Sequence, residues 1–215
     1  MLRWISIFLA LSALPAKSCQ VALMLAIDVS QSIDVGEYKI QTDGLADALL
    51  DPSVTEALVQ GSVALSVVQW SGPNSQDMSI PWTRMTSASD IRLFAQRARL
   101  MPRTFLMSNT AVGEMIRFGL GQFTQVTDCS RHVIDISGDG NDNASTGPEQ
   151  ARRSAELQNV QINALAIEWI GSSITNFYRR SVVTQDGFVM TARGHEDYAD
   201  TLRRKIIREV SQALF

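Results

Sequence analysis

The feature that most constrains the fold is an uninterrupted apolar run, residues 21–27, that ends abruptly at the carboxylate of Asp28. Seven consecutive apolar residues with a polar boundary predict a strand buried on both faces, as in a parallel sheet. Ser30 and Ser32 follow Asp28 at alternate positions, in the turn that leaves this strand. The chain therefore places one carboxylate and two hydroxyls where a buried strand reaches the surface.

Further strands and helices alternate along the chain. The predicted strands are 62–70, 77–85, 132–137, 160–170 and 187–191, and the predicted helices are 34–50, 54–59, 89–100, 110–123, 148–157, 174–182 and 195–215. Pro81 cannot donate to a strand ladder, so we expect its strand at an edge of the sheet. The pattern predicts one α/β domain with a doubly wound, mostly parallel sheet, one short antiparallel edge strand and helices on both faces.

The first 18 residues predict a cleavable signal peptide. Arg3 gives a positive start, and the apolar stretch 5–14 is too short to span a bilayer. Ala16 and Ser18 supply the small residues that cleavage requires. We therefore expect residues 19–215 to form a domain exported to the periplasm or secreted by a bacterium, without a transmembrane segment.

Composition and motifs exclude several classes of function. The net charge of −3 and the lack of a long basic run argue against nucleic acid as a partner. No G-x-S-x-G motif and no glycine-rich phosphate loop occurs, and no motif pairs His132 or His195 with a serine and an aspartate. A haloacid-dehalogenase-like phosphatase would need aspartate at position 30, where this chain has Ser30. We expect no catalytic residues.

Polar residues from three parts of the chain fall where the predicted strands end. Asp28 ends the first strand, Asp139 follows the strand 132–137, and Thr110 opens a predicted helix. In doubly wound sheets, ligands bind beyond the carboxyl ends of the strands, where the strand order reverses. If the strands of Asp28 and Asp139 are neighbours at that point, these three residues meet in one crevice.

The D-x-S-x-S motif of Asp28, Ser30 and Ser32, followed by Thr110 and Asp139, resembles the metal-ion-dependent adhesion site (MIDAS) of von Willebrand factor type A (vWA) domains. The V-S-x-S and I-D-x-S-G-D-G stretches are similar to those of exported bacterial vWA-like proteins that have no assigned activity. The likeness covers nearly the whole exported chain and implies a vWA/Rossmann-like fold. It also implies that Mg²⁺ or Mn²⁺ binds at these five residues.

The resemblance implies a mechanism of binding. In vWA domains the hydroxyls contact the metal and the aspartates act largely through bound water, so the cation keeps an open position. An aspartate or glutamate of a protein partner can take that position. We therefore predict a metal-dependent protein-binding module. The alternatives are a metal-assisted hydrolase in the same crevice, a scaffold with a vestigial metal site, and aspartates that merely cap helices and turns.

Several residues near the motifs have less specific interpretations. Many vWA domains have glycine close before the threonine, where this chain has Ser108 and Asn109. Asparagine tolerates the left-handed backbone that glycine allows, so the loop can keep its shape.

Asp135 lies inside an apolar strand, where a charged side chain requires a partner. Glu168 is interpreted either as part of the crevice rim or as an ordinary surface residue. Asp142 and Asn143, in the loop of Asp139, are interpreted as solvated turn residues, with support of the metal ligands from behind as the alternative. Trp70, Trp82 and Trp169 are interpreted as core or sheet-face residues.

The two cysteines lie at matched distances from the motif aspartates. Cys19 precedes Asp28 by nine residues, and Cys129 precedes Asp139 by ten. If the two strands are neighbours, a disulfide is feasible, because paired strands lie about 4.7–4.9 Å apart and disulfides accept Cα separations of about 4.4–6.8 Å. The alternatives are two unpaired thiols or a lipid-modified Cys19, although Lys17 fits a lipoprotein signal badly.

Overall fold

The computed structural model describes residues 18–106 and 108–211, so the predicted signal peptide lies outside the described residues except for Ser18. One sheet has the strand order β3-β2-β1-β4-β5-β6. The strands are β1 (Cys19–Asp28), β2 (Ala64–Trp70), β3 (Gln76–Arg84), β4 (Cys129–Gly138), β5 (Val160–Ile167) and β6 (Val189–Ala192). β3 runs antiparallel to β2, and the other neighbouring pairs are parallel. The predicted sheet is confirmed.

Helices cover both faces of this sheet. They are α1 (Val35–Leu50), α2 (Pro52–Gln60), α3 (Ala88–Arg99), α4 (Val112–Gln122), α5 (Pro148–Leu157), α6 (Ser173–Phe177) and α7 (Tyr198–Ser211). A π-helical turn, Tyr178–Val182, continues α6, and a 3₁₀ turn, His195–Asp197, precedes α7. The predicted end of the last helix, residues 212–215, lies outside the described residues.

The apolar run of β1 explains why the sheet is covered on both faces. Leu23 and Leu25 pack into the core that contains residues of α1, α3 and α7. Met24 and Ala26 pack into the opposite core, with residues of α4 and α5. Because successive side chains of a strand point to opposite faces, a strand with an apolar residue at every position needs helices on both sides.

The edge strand β3 contains Pro81, as predicted. The register moves from Val67 opposite Ile80 to Leu65 opposite Thr83, so the strand has an irregularity at this proline. An extra residue at a bulge leaves one backbone N–H unneeded, which suits a residue that has none.

The prediction for strand 160–170 was wrong at its carboxyl end. β5 stops at Ile167, which pairs with Ala192, the last residue of β6. The apolar run therefore extends beyond the sheet, and Trp169 and Ile170 are 66% and 93% exposed. Trp169 is a surface residue, contrary to the core interpretation, whereas Trp70 is fully buried and Trp82 packs against the second core.

A buried ionic cluster supplies the partner that Asp135 requires. Lys205 Nζ on α7 lies 2.6 Å from Asp135 Oδ1 and 2.6 Å from Glu209 Oε1. Asn163 Nδ2 donates to the same Glu209 oxygen at 2.9 Å. All of these side chains are buried, so two carboxylates share one ammonium group in the protein interior.

The predicted disulfide joins the first residues of β1 and β4. Cys19 and Cys129 are opposite each other in the parallel register, with their Cα atoms 4.4 Å apart. A sulfur bonded to Cys129 cannot also carry a lipid, so the bridge favours the disulfide over the lipid-modified Cys19.

Candidate metal centre

The sheet reverses its strand order between β1 and β4, and the predicted site lies at the carboxyl ends of these two strands. β1 ends at Asp28, and Asp139 follows β4 directly. The loop that carries Thr110 is held over this point by backbone hydrogen bonds, from Gln31 N to Ser108 O at 3.0 Å and from Ala111 N to Ser71 O at 2.9 Å. Three loops therefore converge on one crevice.

A chain of hydroxyl contacts connects these loops. Thr110 Oγ1 donates to Ser30 Oγ at 3.2 Å, and the Oγ atoms of Ser30 and Ser32 are 3.2 Å apart. Ser32 Oγ donates to Asp139 Oδ1 at 2.6 Å, while Asp28 Oδ1 accepts from the Ser30 backbone N–H at 2.7 Å. All five residues of the sequence prediction are thus brought together. That they bind a metal remains a prediction.

The two aspartates lie in an environment that opposes negative charge. Asp28 is fully buried, and burial, together with the nearby Asp139, raises the pKa of its carboxyl group to about 7. Burial also raises the pKa of Asp139, although the hydrogen bond from Ser32 opposes this. Arg103 is a nearby cation that lowers the pKa of Asp28, but its Nη2 donates to the carbonyls of Val29 and Ser30, at 2.9 Å each.

The donor set fits a hard divalent cation. Asp28 Oδ2 is buried and has no hydrogen-bond partner among the described residues. The surrounding donors are carboxylate and hydroxyl oxygens, which Mg²⁺ and Mn²⁺ prefer. No group of three or more His, Cys, Asp or Glu side chains in residues 18–106 and 108–211 could hold a metal ion. A cation in this crevice would therefore depend on the hydroxyls of the two serines and the threonine.

Asp142 and Asn143 have the supporting role that was the alternative interpretation of these residues. The Thr110 N–H donates to Asn143 Oδ1 at 2.9 Å, and the Asn143 N–H donates to Thr110 O at 3.0 Å. Asp142 accepts from Gly113 N at the start of α4 and from Ser145 N. These hydrogen bonds fix the Thr110 loop against the Asp139 loop, so both residues support the predicted site, although Asn143 is also exposed to solvent. Their position just after Asp139 was the available signal.

The interpretation of Asn109 was wrong. Apart from glycines, the described residues with positive φ are Ser62 and Asn159, so Asn109 does not use a left-handed backbone. The loop is held instead by Ser71, whose Oγ donates to Asn109 O at 3.0 Å. A hydrogen bond from a neighbouring strand end thus fixes the loop without glycine.

A cavity of about 350 Å³ lies next to Asp139, lined by Glu37, Glu168, Trp169 and His195 among others. Glu168 is buried, and its carboxylate accepts from Ile174 N and from the N–H and hydroxyl of Thr175. The crevice-rim interpretation of Glu168 is therefore correct, and the surface interpretation is wrong. The cavity provides room for a further side chain beside the predicted metal position.

The comparisons with known proteins identify the family. Residues 18–214 match the family model "Protein of unknown function (DUF1194)". The chain belongs to the DUF1194 family. No curated protein matches this DUF1194 chain.

No helix in its described part has the length and apolar character needed to cross a membrane.

Solved structures show that the fold is that of vWA domains. Proximal thread matrix protein 1 from the mussel byssus, with zinc in its MIDAS motif, has a TM-score of 0.66 at 20% identity; the match covers 91% of this chain and 49% of the mussel protein. A vWA protein from Catenulispora acidiphila has a TM-score of 0.64 at 16% identity, with 90% and 43% covered. The von Willebrand factor domain of the pilus tip protein Mfa5 from Porphyromonas gingivalis has a TM-score of 0.65 at 9% identity, with 93% and 98% covered. The DUF1194 chain thus spans about half the length of the first two proteins, and these identities establish the fold alone.

Proposed function

We propose that this DUF1194 domain is an exported protein-binding module that uses a MIDAS-type Mg²⁺ or Mn²⁺ ion to capture an acidic residue of a partner. The observation that carries the proposal is the chain of hydroxyl contacts linking Thr110, Ser30, Ser32 and Asp139 beside the unpartnered Oδ2 of Asp28. Neutral hydroxyl ligands leave much of the cation's charge uncompensated. A carboxylate from outside the domain is the ligand that such a cation favours.

Export is supported by the disulfide. Bridges of this kind form and persist in oxidising compartments such as the bacterial periplasm or the extracellular space. The Cys19–Cys129 bridge begins one residue after the predicted signal peptide, residues 1–18. We propose that cleavage there leaves a free domain whose new amino terminus is fixed to β4.

The surface around the crevice favours a protein as the partner. Large exposed apolar side chains lie at the start of α1, in the loop before Thr110 and in the loop after β5; they are Val35, Leu106, Trp169 and Ile170. Exposed apolar and aromatic side chains with a polar rim are typical of protein interaction sites. The mussel matrix protein and the Mfa5 pilus tip protein, which share the fold, also support a binding role rather than an enzymatic one.

Binding of the metal alone is the first test. We expect isothermal titration calorimetry with Mn²⁺ or Mg²⁺ to show about one site per chain. Ser30→Ala should weaken the affinity by roughly tenfold or more, since it removes a hydroxyl at the centre of the contact chain. The matched control is Ser66→Ala, which removes a buried hydroxyl on β2, away from the crevice. Equal metal affinity in the wild type, Ser30→Ala and Ser66→Ala would contradict the assignment of the site.

Capture of an acidic residue is the second test. A displayed random-peptide library, bound in Mg²⁺ and eluted with a chelator, should yield peptides with aspartate or glutamate next to a large apolar residue. We expect binding to be lost in chelator, in the Ser32→Ala variant and after Asp→Asn or Glu→Gln changes in the peptide. Trp169→Ala should weaken binding, whereas Leu157→Ala, an exposed apolar residue at the end of α5, should not. Selected peptides without acidic residues, or with affinities insensitive to chelator, would exclude this mode of binding.

A further inference from the structure

A buried phenol lies close to the predicted metal centre without an evident structural role. Tyr178 opens the π-helical turn after α6 and is fully buried against the core of α4 and α5. Its hydroxyl has no hydrogen-bond partner within the described part of the chain. Buried tyrosine hydroxyls usually have such a partner, so one without a partner requires an explanation.

The hydroxyl of Tyr178 and the carboxylate of Asp28 converge on one point beside the backbone of Gly138. A Cβ atom at Gly138 would lie 2.6 Å from Tyr178 Oη and 2.9 Å from Asp28 Oδ2. Only the missing side chain of this glycine allows both oxygens to approach the end of β4. Asp28 Oδ2 is the other buried oxygen here that has no partner in the described residues. Two unpartnered oxygens, one a donor and one an acceptor, thus share one gap.

The hydroxyl of Tyr178 is suited to orient the carboxylate of Asp28. A phenol keeps its proton at neutral pH, so the buried hydroxyl of Tyr178 can donate, and it has no acceptor among the described residues. A carboxylate oxygen has two lone pairs, so Oδ2 can accept from the phenol and from a metal-bound water at once. Because Asp28 Oδ1 is fixed by the Ser30 N–H, a donor at Oδ2 would fix the second oxygen and therefore the plane of the carboxylate.

We propose that Tyr178 is a positioning residue of the metal centre, whose hydroxyl donates to Asp28 Oδ2 directly or through one water in the gap beside Gly138. This inference rests on the proposed function, because it assigns Tyr178 to a cation site at Asp28. Donors that orient a metal-binding carboxylate typically contribute about 10–100-fold to metal affinity. Tyr178 carries no charge and lies outside the motif, so the sequence motif gave no indication of it.

Tyr178→Phe is a clean test, because it removes one oxygen and no described hydrogen bond. We expect its Mn²⁺ affinity, measured by calorimetry, to fall roughly tenfold, while its thermal stability without metal stays close to that of the wild type. The matched control is Tyr198→Phe on the opposite face of the sheet, where Oη lies 3.5 Å from Ser137 Oγ; its Mn²⁺ affinity should not change. The tyrosine ultraviolet difference spectrum on adding Mn²⁺ should persist in Tyr198→Phe and disappear in Tyr178→Phe.

The outcomes separate the two proposals. If the wild type binds Mn²⁺ and Tyr178→Phe binds it equally well with an unchanged difference spectrum, the positioning role of Tyr178 is wrong and the metal centre stands. If the wild type binds no Mn²⁺, the proposed function itself is wrong. A loss of affinity in Tyr178→Phe accompanied by an equal loss in Tyr198→Phe would indicate a general packing effect and would also contradict the positioning role.

Discussion

Replacing Lys205 by methionine is expected to lower the free energy of unfolding by about 3–5 kcal/mol near neutral pH. Methionine keeps most of the length of the side chain but removes the ammonium group that lies 2.6 Å from both Asp135 and Glu209. Two buried carboxylates would then face each other without a cation, and a charge left uncompensated in the interior is far more costly than the loss of an exposed pair. Urea unfolding monitored by circular dichroism measures the change.

The pH dependence distinguishes this electrostatic effect from a packing defect. Burial, reinforced by Asp135 and opposed by Lys205, raises the pKa of Glu209 in the folded state to about 7, above its ordinary value of 4.5. The folded protein therefore binds this proton more tightly than the unfolded chain, and the resulting stabilisation is complete below pH 4.5 and lost as the pH rises through 7. Because Lys205 lowers the pKa of Glu209, Glu209 should hold its proton to higher pH still without Lys205. The destabilisation by Lys205→Met should thus be largest in alkaline solution and shrink as the pH falls towards 5.

Lys39 provides a matched control within the same chain. Like Lys205, it lies in a helix four residues before an acidic partner, in this case Asp43, but its side chain is 61% exposed. Lys39→Met should change the unfolding free energy by no more than about 0.5 kcal/mol, because exposed ion pairs contribute little. An unfolding free energy lowered no more by Lys205→Met than by Lys39→Met would contradict a stabilising role of Lys205 in the buried cluster. A loss that did not vary with pH would contradict its electrostatic origin.

Removing the Cys19–Cys129 disulfide is the second change with a large expected effect. The bridge joins residues separated by 110 positions. The chain-entropy model assigns a loop of that order about 4.7 kcal/mol, and losses of about 2–5 kcal/mol are typical when native disulfides are removed. We expect the double variant Cys19→Ala/Cys129→Ala to be destabilised by an amount in this range in urea unfolding, because its unfolded chain is no longer constrained.

The single variants make this prediction specific. Either Cys19→Ala or Cys129→Ala breaks the bridge, so each should cost about as much as the double variant rather than half of it. Both sulfur atoms belong to buried residues, so reductant should lower the stability of the wild type only when it is present during unfolding. Two free thiols in non-reducing mass spectrometry of periplasmic protein, or additive costs in the single variants, would contradict a native bridge.

The sequence predicted much of the fold because the signals were local and repeated. An apolar residue at every position of 21–27 requires cover on both faces, and a motif at the end of that strand locates the crevice. The strand order around β1 and β4, the bridge between Cys19 and Cys129 and the convergence of Asp28, Ser30, Ser32, Thr110 and Asp139 are all found in the structure. Spacing along the chain indicated the strand adjacency and the feasible bridge, and the resemblance to vWA domains singled out the five site residues.

Where the prediction failed, the cause lay in a neighbour distant in sequence. Trp169 and Ile170 are as apolar as many strand ends, but β6 stops at Ala192, whose carbonyl accepts from the Glu168 N–H, so β6 has no residues left to pair with Trp169 and Ile170. Asn109 was expected to replace glycine through its backbone, but a hydroxyl from Ser71 fixes the loop instead. Local propensity is overridden at such positions because hydrogen-bond partners supplied by other elements decide the backbone conformation.

By itself, the sequence determined the fold class through its periodicity, and its resemblance to vWA domains singled out the five residues at the switch point. The spacing of Cys19 and Cys129 made a bridge feasible without deciding it. The tertiary structure alone decided which side chains support them. Lys205 and Glu209 lie on the buried stripe of α7, yet only the packing of α7 against β4 makes Lys205 the counter-ion of Asp135. Likewise Tyr178 reaches Asp28 only because Gly138 leaves space between them. Burial and proximity in three dimensions set the energies of these groups, and spacing along the chain encodes neither.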